Sequence, residues 1–315
     1  MIRYYKRDDK QLVELQKPEK GCWINVYPPF DQESLKLLGE QYKLPFDYII
    51  DSLDIAERPR FERDDDIDLI VLKTPIANDI VTDIDALYIT IPIGIILTKE
   101  VIVTISPFEN QVIDSFLNGK VKGLDPIDRS MFVLKLFDRN IYHYLIYLNE
   151  INTKRNLFET ELYNSMRNKE LIRLLNIEKS LVYFVTALRA DELMMLKIQR
   201  TNFLNTTDNE AESDLLQDVL IDSAQASEMA QVYTNILSGT MDAFASIISN
   251  NLNQVMKLLT SVTIVLMVPT LVASFYGMNV NLPFAKEPWA FSFTLLLSVI
   301  LSTILVYVFF KKRWF

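Results

Sequence analysis

The chain has 315 residues, half of them hydrophobic, and its 41 acidic against 32 basic side chains give a formal net charge of −9 at pH 7. This acidic balance argues against a nucleic-acid-binding protein, whose surface must attract phosphates. With one cysteine, Cys22, and one histidine, His143, the sequence excludes an intrachain disulfide and lacks the usual ligand sets of zinc and copper.

Residues 1–125 are predicted to form a cytosolic α/β domain. A helix is predicted over 34–42, and runs rich in β-branched residues predict strands over 22–26, 67–73, 87–98 and 101–105. The polar segment 79–85 is predicted to join two of these strands as a hairpin.

Residues 126–205 are predicted to form a helical hairpin, and residues 206–257 a long stalk helix. Glycine and proline are rare in this part of the chain, which favours helices over 129–167 and 168–201. A third helix is predicted to begin near Asp208 and to continue into the following apolar segment for roughly 65 residues, about 100 Å. A helix of this length needs partners to bury its apolar stripe, and an oligomer would supply them.

The predicted stalk is strongly acidic. No basic residue occurs between Arg200 and Lys257, whereas eight carboxylates do: Asp208, Glu210, Glu212, Asp214, Asp218, Asp222, Glu228 and Asp242. Packing of the more basic preceding helices against the stalk accounts for most of these charges. In a homo-oligomer, however, like charges repeat around one axis and repel. Bound hard cations, which prefer oxygen ligands, would relieve that repulsion.

Two charge-free apolar segments, 258–276 and 291–310, are predicted to be transmembrane helices. The short link between them, 277–290, is then extracytoplasmic, and the chain makes one hairpin through the bilayer. The tail, 311–315, contains the consecutive basic residues Lys311, Lys312 and Arg313. The positive-inside bias places such a tail in the cytoplasm, so both termini are expected there, in a two-span protein of the plasma (inner) membrane.

The link between the spans begins with Gly277-Met278-Asn279, which resembles the signature loop of the CorA family of divalent-cation channels. Gly277 can adopt positive φ and Asn279 tolerates it, so an ordinary helix C-cap is compatible with the functional interpretation. Residues 50–62, followed by the strand predicted over 67–73, are similar to the family's cytosolic helix-turn-strand segment with its Arg-Pro pair, here Arg58-Pro59. The resemblance covers nearly the whole chain and is weakest over 80–200.

Polar and methionine side chains recur at steps of three or four along the first span and therefore share one helical face: Asn253, Met256, Thr260, Thr263, Met267, Thr270 and Ser274. Such a face belongs against protein or water, so it lines either a packed helix interface or a pore. The family resemblance implies a pore. The expected lining and gate residues are Asp242, Asn253, Met256, Leu259, Thr263, Met267, Thr270 and Ser274.

The resemblance further implies a funnel-shaped homopentamer whose axial pore carries Mg²⁺, and also Co²⁺ or Ni²⁺, down the electrochemical gradient. Gly277, Met278 and Asn279 would form the selectivity filter. Because Mg²⁺ releases water reluctantly, we expect the ion to pass largely hydrated. Met256 and Leu259 would form apolar constrictions that stop conduction by dewetting.

The resemblance also implies regulation by the transported ion. Asp51 of one subunit and Asp218 of the next would hold regulatory Mg²⁺, so that high cytoplasmic Mg²⁺ closes the channel. A second acid that is common beside the first is replaced here by Ile50. Lys311, Lys312 and Arg313 would form a basic ring at the inner end of the bundle, and no organic cofactor is expected.

Three other functions fit the sequence less well. A zinc transporter of the same superfamily is disfavoured by Met278, because that branch tends to vary the middle residue of the motif. A membrane-anchored receptor or scaffold would not need a polar face on its first span. An enzyme is not expected, because we find no nucleophile-base pair, phosphate loop or cofactor fingerprint.

Overall fold

The structure is a computed structural model, and it describes residues 1–8, 11–79, 84–165, 168–279, 283, 287–312 and 314. The described chain divides into two compact units, Met1–Ser238 and Gly239–Phe315, called here the first and the second unit.

The described part of the first unit contains one mixed seven-stranded sheet. Its strands are β1 (Ile2–Asp8), β2 (Gln11–Leu15), β3 (Trp23–Val26), β4 (Arg60–Asp64), β5 (Ile67–Ala77), β6 (Tyr88–Leu97) and β7 (Ile102–Ile105). They lie in the order β2-β1-β3-β7-β6-β5-β4, in which β3 and β7 are parallel and the other neighbours antiparallel. β6 is buried along its whole length, and it accordingly contains no charged residue.

The helices are α1 (Gln32–Tyr42), α2 (Phe46–Asp51), α3 (Gln111–Leu117), α4 (Arg129–Ser165), α5 (Asn168–Thr201), α6 (Glu210–Tyr276) and α7 (Ala290–Lys311). Asp31 caps α1 by accepting hydrogen bonds from the backbone of Glu33 and Ser34, and Asn110 caps α3 by accepting one from Ile113. These caps satisfy backbone N–H groups that a helix start leaves without partners.

Helices cover both faces of the sheet. On one face, Ile24 and Val71 share a core cluster with Leu38 of α1 and Ile49 of α2. On the other face, the Trp23 ring lies edge-on to Phe116 of α3 and Phe132 of α4, with ring centroids 6.0 and 5.4 Å apart. The Trp23 indole donates a 2.8 Å hydrogen bond to the Thr104 hydroxyl, so its one polar atom is satisfied inside the core.

The strands predicted over 22–26, 67–73, 87–98 and 101–105 are confirmed with small shifts, except that β5 continues to Ala77. Three strands, β1, β2 and β4, and two short helices, α2 and α3, were not predicted. Residues 80–83, in the middle of the predicted hairpin 79–85, lie outside the described residues. So do residues 166–167, the last two of the helix predicted over 129–167.

The long third helix is confirmed as α6, which begins at Glu210 after a 3₁₀ turn at Thr206–Asp208 and contains Pro269. The predicted fold class, an α/β domain with a long helix and two apolar C-terminal helices, is therefore confirmed. The finer domain boundaries and the funnel-shaped pentamer stay predictions.

Candidate functional site

α6 and α7 are, among the described residues, the helices that are long and apolar enough to cross a membrane. Only 11% of the most apolar stretch of each is buried. A soluble protein would cover such a surface, because exposed apolar area costs free energy in water. These helix surfaces therefore belong against lipid or against other copies of the chain.

The predicted pore residues lie on an uncovered side of α6. All eight are exposed: Asp242, Asn253, Met256, Leu259, Thr263, Met267, Thr270 and Ser274. The same helix has a covered side, on which Ser261 and Val272 are buried and Val265 and Val268 are half-buried. At about 100° per residue, the covered side lies roughly opposite the polar one. None of the described residues of the second unit therefore shields the polar side.

Two threonine hydroxyls on this side donate their hydrogens within the helix. Thr263 donates to the Leu259 carbonyl at 2.8 Å, and Thr270 donates to the Leu266 carbonyl at 3.1 Å. A hydroxyl has one hydrogen and two lone pairs. Because the hydrogen is bound within the helix, these side chains present acceptor oxygens to whatever lies beside them.

Gly277 directly follows α6, which ends at Tyr276. Its N–H donates to the Ala273 carbonyl at 2.9 Å, and it does not adopt the positive φ found at Gly21, Gly119 and Gly123. A Cβ added there would lie 3.3 Å from the Ala273 carbonyl oxygen. Close approach to the last helical turn, rather than positive φ, is therefore what favours glycine at this helix end.

The rest of the predicted filter is only partly described. Met278 donates its N–H to the Phe275 carbonyl at 3.2 Å, and Met278 and Asn279 are both exposed. Residues 280–282 and 284–286 of the link lie outside the described residues.

The predicted basic ring stands at the end of α7. Lys311 is the last residue of this helix, Lys312 is its C-cap, and both are exposed. Arg313 lies outside the described residues. Trp314 stacks on Phe309 at 5.2 Å between ring centroids and donates its backbone N–H to the Phe309 carbonyl at 3.0 Å.

Asp51, the first predicted sensor residue, is the last residue of α2 and is half-buried. Its carboxylate accepts a 2.6 Å hydrogen bond from the Arg60 guanidinium at the start of β4. Arg60 also binds Glu57 at 3.0 Å, and Glu62. Burial alone would lower the pKa of Arg60, but the bond to Asp51 and the charges of Glu62 and Glu57 raise it above its usual value.

Asp218, the second predicted sensor residue, is exposed on α6, and Asp222 is exposed one turn further on. The fold also brings Asp138 of α4 near them, a residue that the sequence analysis missed. Burial raises the pKa of Asp138, and the charges of Asp222 and Asp218 raise it further, while Arg139 lowers it. Within one chain, the described residues hold no group of three Asp, Glu, His or Cys side chains placed to bind a metal ion.

The family model described as CorA-like Mg²⁺ transporter protein matches residues 18–313 of the chain. The chain is 28% identical to the cobalt/magnesium transport protein CorA of Methanocaldococcus jannaschii, over 93% of this chain and 90% of that protein. It is 22% identical to the cobalt/magnesium transport protein CorA of Thermotoga maritima, over 99% of this chain and 89% of that protein.

Two solved structures support the fold. The complete structure of the CorA magnesium transporter from Methanocaldococcus jannaschii has a TM-score of 0.84 at 24% identity and covers 100% of this chain and 99% of its own. The ZntB cytoplasmic domain from Vibrio parahaemolyticus has a TM-score of 0.60 at 12% identity and covers 79% of this chain and 98% of its own. At these identities the likeness concerns the fold alone.

Proposed function

The chain belongs to the family of CorA-like Mg²⁺ transporter proteins, and from this premise we propose that it is a homopentameric channel that admits hydrated Mg²⁺. It is a membrane protein with two candidate spans, and its family transports divalent cations. The zinc alternative is not favoured, because the likeness to ZntB is distant. Membership of a transporter family likewise leaves the receptor or scaffold without support.

The observation that carries the proposal is the uncovered polar side of α6. Threonine hydroxyls whose hydrogens are bound inside the helix offer acceptors outward. The waters of hydrated Mg²⁺ point their hydrogens away from the ion, and Mg²⁺ gives up those waters reluctantly. Five copies of this side around an axis would line a pore with matching acceptors, and Asn279 amide oxygens at its mouth would select the hydrated ion.

The gate is assigned to Met256 and Leu259. Both are exposed in the single chain, at 52% and 60% of their full surface, and five copies of each would form apolar rings. A narrow apolar ring stops conduction by losing its water. Replacing both residues by serine should keep the pore conducting at Mg²⁺ concentrations that close the parent; closure as in the parent would contradict this assignment.

Regulation is assigned to carboxylates of neighbouring subunits. Asp51 of one subunit and Asp218 of the next, with Asp138 and Asp222 nearby, would bind Mg²⁺ through the oxygen ligands it prefers. Ile50, which is 46% exposed, offers no oxygen ligand. Mg²⁺ binding would hold the ring of first units in the closed arrangement, and a coupling of a few kcal/mol is enough to shift a two-state pore.

The proposed topology places both termini in the cytoplasm of a cell whose plasma (inner) membrane holds the two spans. The basic residues Lys311 and Lys312 at the end of α7 support this orientation through the positive-inside bias. A protease added outside intact cells should therefore leave a C-terminal tag intact, and its removal would contradict the topology.

The transport proposal is tested by Mg²⁺ uptake into liposomes that contain only this protein. Asn279→Ala should abolish uptake while the oligomer stays intact. Asn250→Ala, an exposed asparagine of α6 away from the polar side, is the matched control and should transport as the parent does. No uptake by the parent contradicts transport itself, whereas normal uptake by Asn279→Ala contradicts only the filter.

A further inference from the structure

The guanidinium of Arg60 binds three carboxylates. Its Nη2 lies 2.6 Å from Asp51 Oδ2, its Nε lies 3.0 Å from Glu57 Oε1, and its Nη1 binds Glu62 Oε1. The Arg60 and Asp51 side chains are 27% and 33% exposed, so the pair is partly shielded from solvent. Three negative charges and one positive charge leave this group with a formal charge of −2.

We propose that Arg60 is a tethered competitor of Mg²⁺ for the Asp51 carboxylate and thereby sets the Mg²⁺ concentration at which the sensor responds. The proposal rests on the regulatory role assigned to Asp51 above. The Arg60 guanidinium occupies Asp51 Oδ2, and its positive charge repels any other cation that approaches this carboxylate, directly or through its own waters. Because Arg60 is covalently attached nearby, its effective concentration is high, and Mg²⁺ must overcome it.

Arg60 keeps two other carboxylate partners when it releases Asp51. Glu57 and Glu62 bind its other two nitrogens, so displacement from Asp51 does not leave the guanidinium without a partner. The remaining formal charge of −2 is balanced by one divalent cation. The group therefore has two arrangements, one with Arg60 on Asp51 and one with Mg²⁺ there.

Arg60 is not what holds the intervening segment 52–59 in place. The buried Ser52 hydroxyl donates to the Tyr48 carbonyl at 2.6 Å, and Asp54 accepts from the Ala56 N–H at 2.8 Å. The Lys73 ammonium, from the middle of β5, donates to the Ile55 carbonyl. Loss of the Arg60 charge should therefore change the electrostatics at Asp51 while the segment keeps its conformation.

The test uses the full chain in detergent and in liposomes. Two readouts are titrated with Mg²⁺: protection of the chain from a protease, and inhibition of ion flux. Arg60→Gln, and Arg60→Met as a second neutral variant in case the first fails to fold, should lower the half-maximal Mg²⁺ concentration about threefold to tenfold, as expected for loss of one partly shielded, charge-assisted pair. Arg60→Lys, which keeps the charge but not the three-nitrogen fork, should lower the half-maximal Mg²⁺ concentration less than either neutral variant does.

Arg63→Gln is the matched control. Arg63 lies on the same strand, binds Asp68 through two nitrogens at 2.6 and 3.0 Å, and stacks over Phe203. Its loss removes the same charge three residues away without freeing Asp51, so its dose response should equal that of the parent.

Each other result overturns the proposal. An unchanged or higher half-maximal Mg²⁺ concentration for both neutral variants excludes competition, and an equal decrease for Arg63→Gln means that general surface charge is responsible. Loss of protection at every Mg²⁺ concentration together with a lower melting temperature means that Arg60 is structural. A parent that transports Mg²⁺ but shows no Mg²⁺-dependent protection contradicts the regulatory role of Asp51, and this proposal with it.

Discussion

Replacement of Gly94 by alanine tests how tightly the segment carrying Asp51 is held against the sheet. Gly94 lies in β6, where an added Cβ would overlap Ser52 Oγ and Cβ and lie 3.3 Å from Ser52 Cα. Ser52 is fully buried and directly follows Asp51. Because neither the buried strand nor Ser52 can retreat toward solvent, we expect a loss near the upper end of the overpacking range, about 3 kcal/mol.

The measurement is the melting temperature of the full chain in detergent. For a unit of this size about 1 kcal/mol corresponds to 2–4 °C, so Gly94→Ala should melt about 6–12 °C lower than the parent. Adding Ser52→Gly removes the overlapping atoms and should recover much of the loss. Gly39→Ala is the control, because its Cβ would make only ordinary van der Waals contacts, 3.5 Å from Ile49 Cδ1 and 3.7 Å from the Leu44 carbonyl oxygen.

A Gly94→Ala chain that melts within about 2 °C of the parent would contradict a steric overlap with Ser52. If Ser52→Gly recovered nothing, the destabilisation would come from somewhere other than this contact. A shift of Asp51 caused by the overlap should in addition weaken the Mg²⁺ dependence of protease protection.

Two further perturbations address the sensor and the pH dependence. Asp218→Lys places a fixed positive charge at the proposed subunit contact and should remove the Mg²⁺ dependence of protease protection and of flux. The control is Glu228→Lys, since Glu228 is another exposed acid of α6. An unchanged dose response of Asp218→Lys would place the sensor elsewhere. Burial, together with the nearby charges of Arg139 and Lys120, lowers the pKa of His143. As pH falls below about 6.5, this imidazole is therefore protonated in the unfolded chain before it is protonated in the folded chain, and the folded state loses stability. Between pH 7.5 and 5.5, the melting temperature of His143→Gln should decrease less than that of the parent. An equal decrease would show that His143 contributes nothing to the pH response.

The helices and strands that the sequence predicts are those whose cause lies within one continuous segment of the chain. α6 follows from a long stretch poor in glycine and proline, and the two apolar helices follow from the absence of charge. The missed β4, by contrast, contains Arg60, Glu62 and Arg63. It lies at one end of the sheet, where only one neighbour pairs with it, so charged side chains replace the apolar run by which buried strands are recognised.

The candidate site likewise has features that were predictable from the sequence and features that were not. The polar side of α6 was predictable because its residues recur with the period of a single helix. Neither the Asp51–Arg60 pair nor the approach of Asp138 to Asp218 has such a period, since each depends on how separate elements pack. For Gly277, glycine was correctly associated with a helix end, but the cause is the nearby Ala273 carbonyl rather than positive φ.

The distribution of carboxylates along the chain fits a protein that both senses and conducts the same divalent ion. At an effective dielectric constant of 20, a divalent cation about 5 Å from a carboxylate is attracted by roughly 7 kcal/mol, enough to slow its departure about 10⁵-fold. Rings of such groups suit a sensor, where the ion must stay. Between Asp242 and Glu287 the sequence contains no carboxylate, and the exposed side of α6 offers amide and hydroxyl acceptors worth about 0.5–1.5 kcal/mol each. Because these groups are neutral, they can orient a hydrated ion without trapping it, which is what passage through a pore requires.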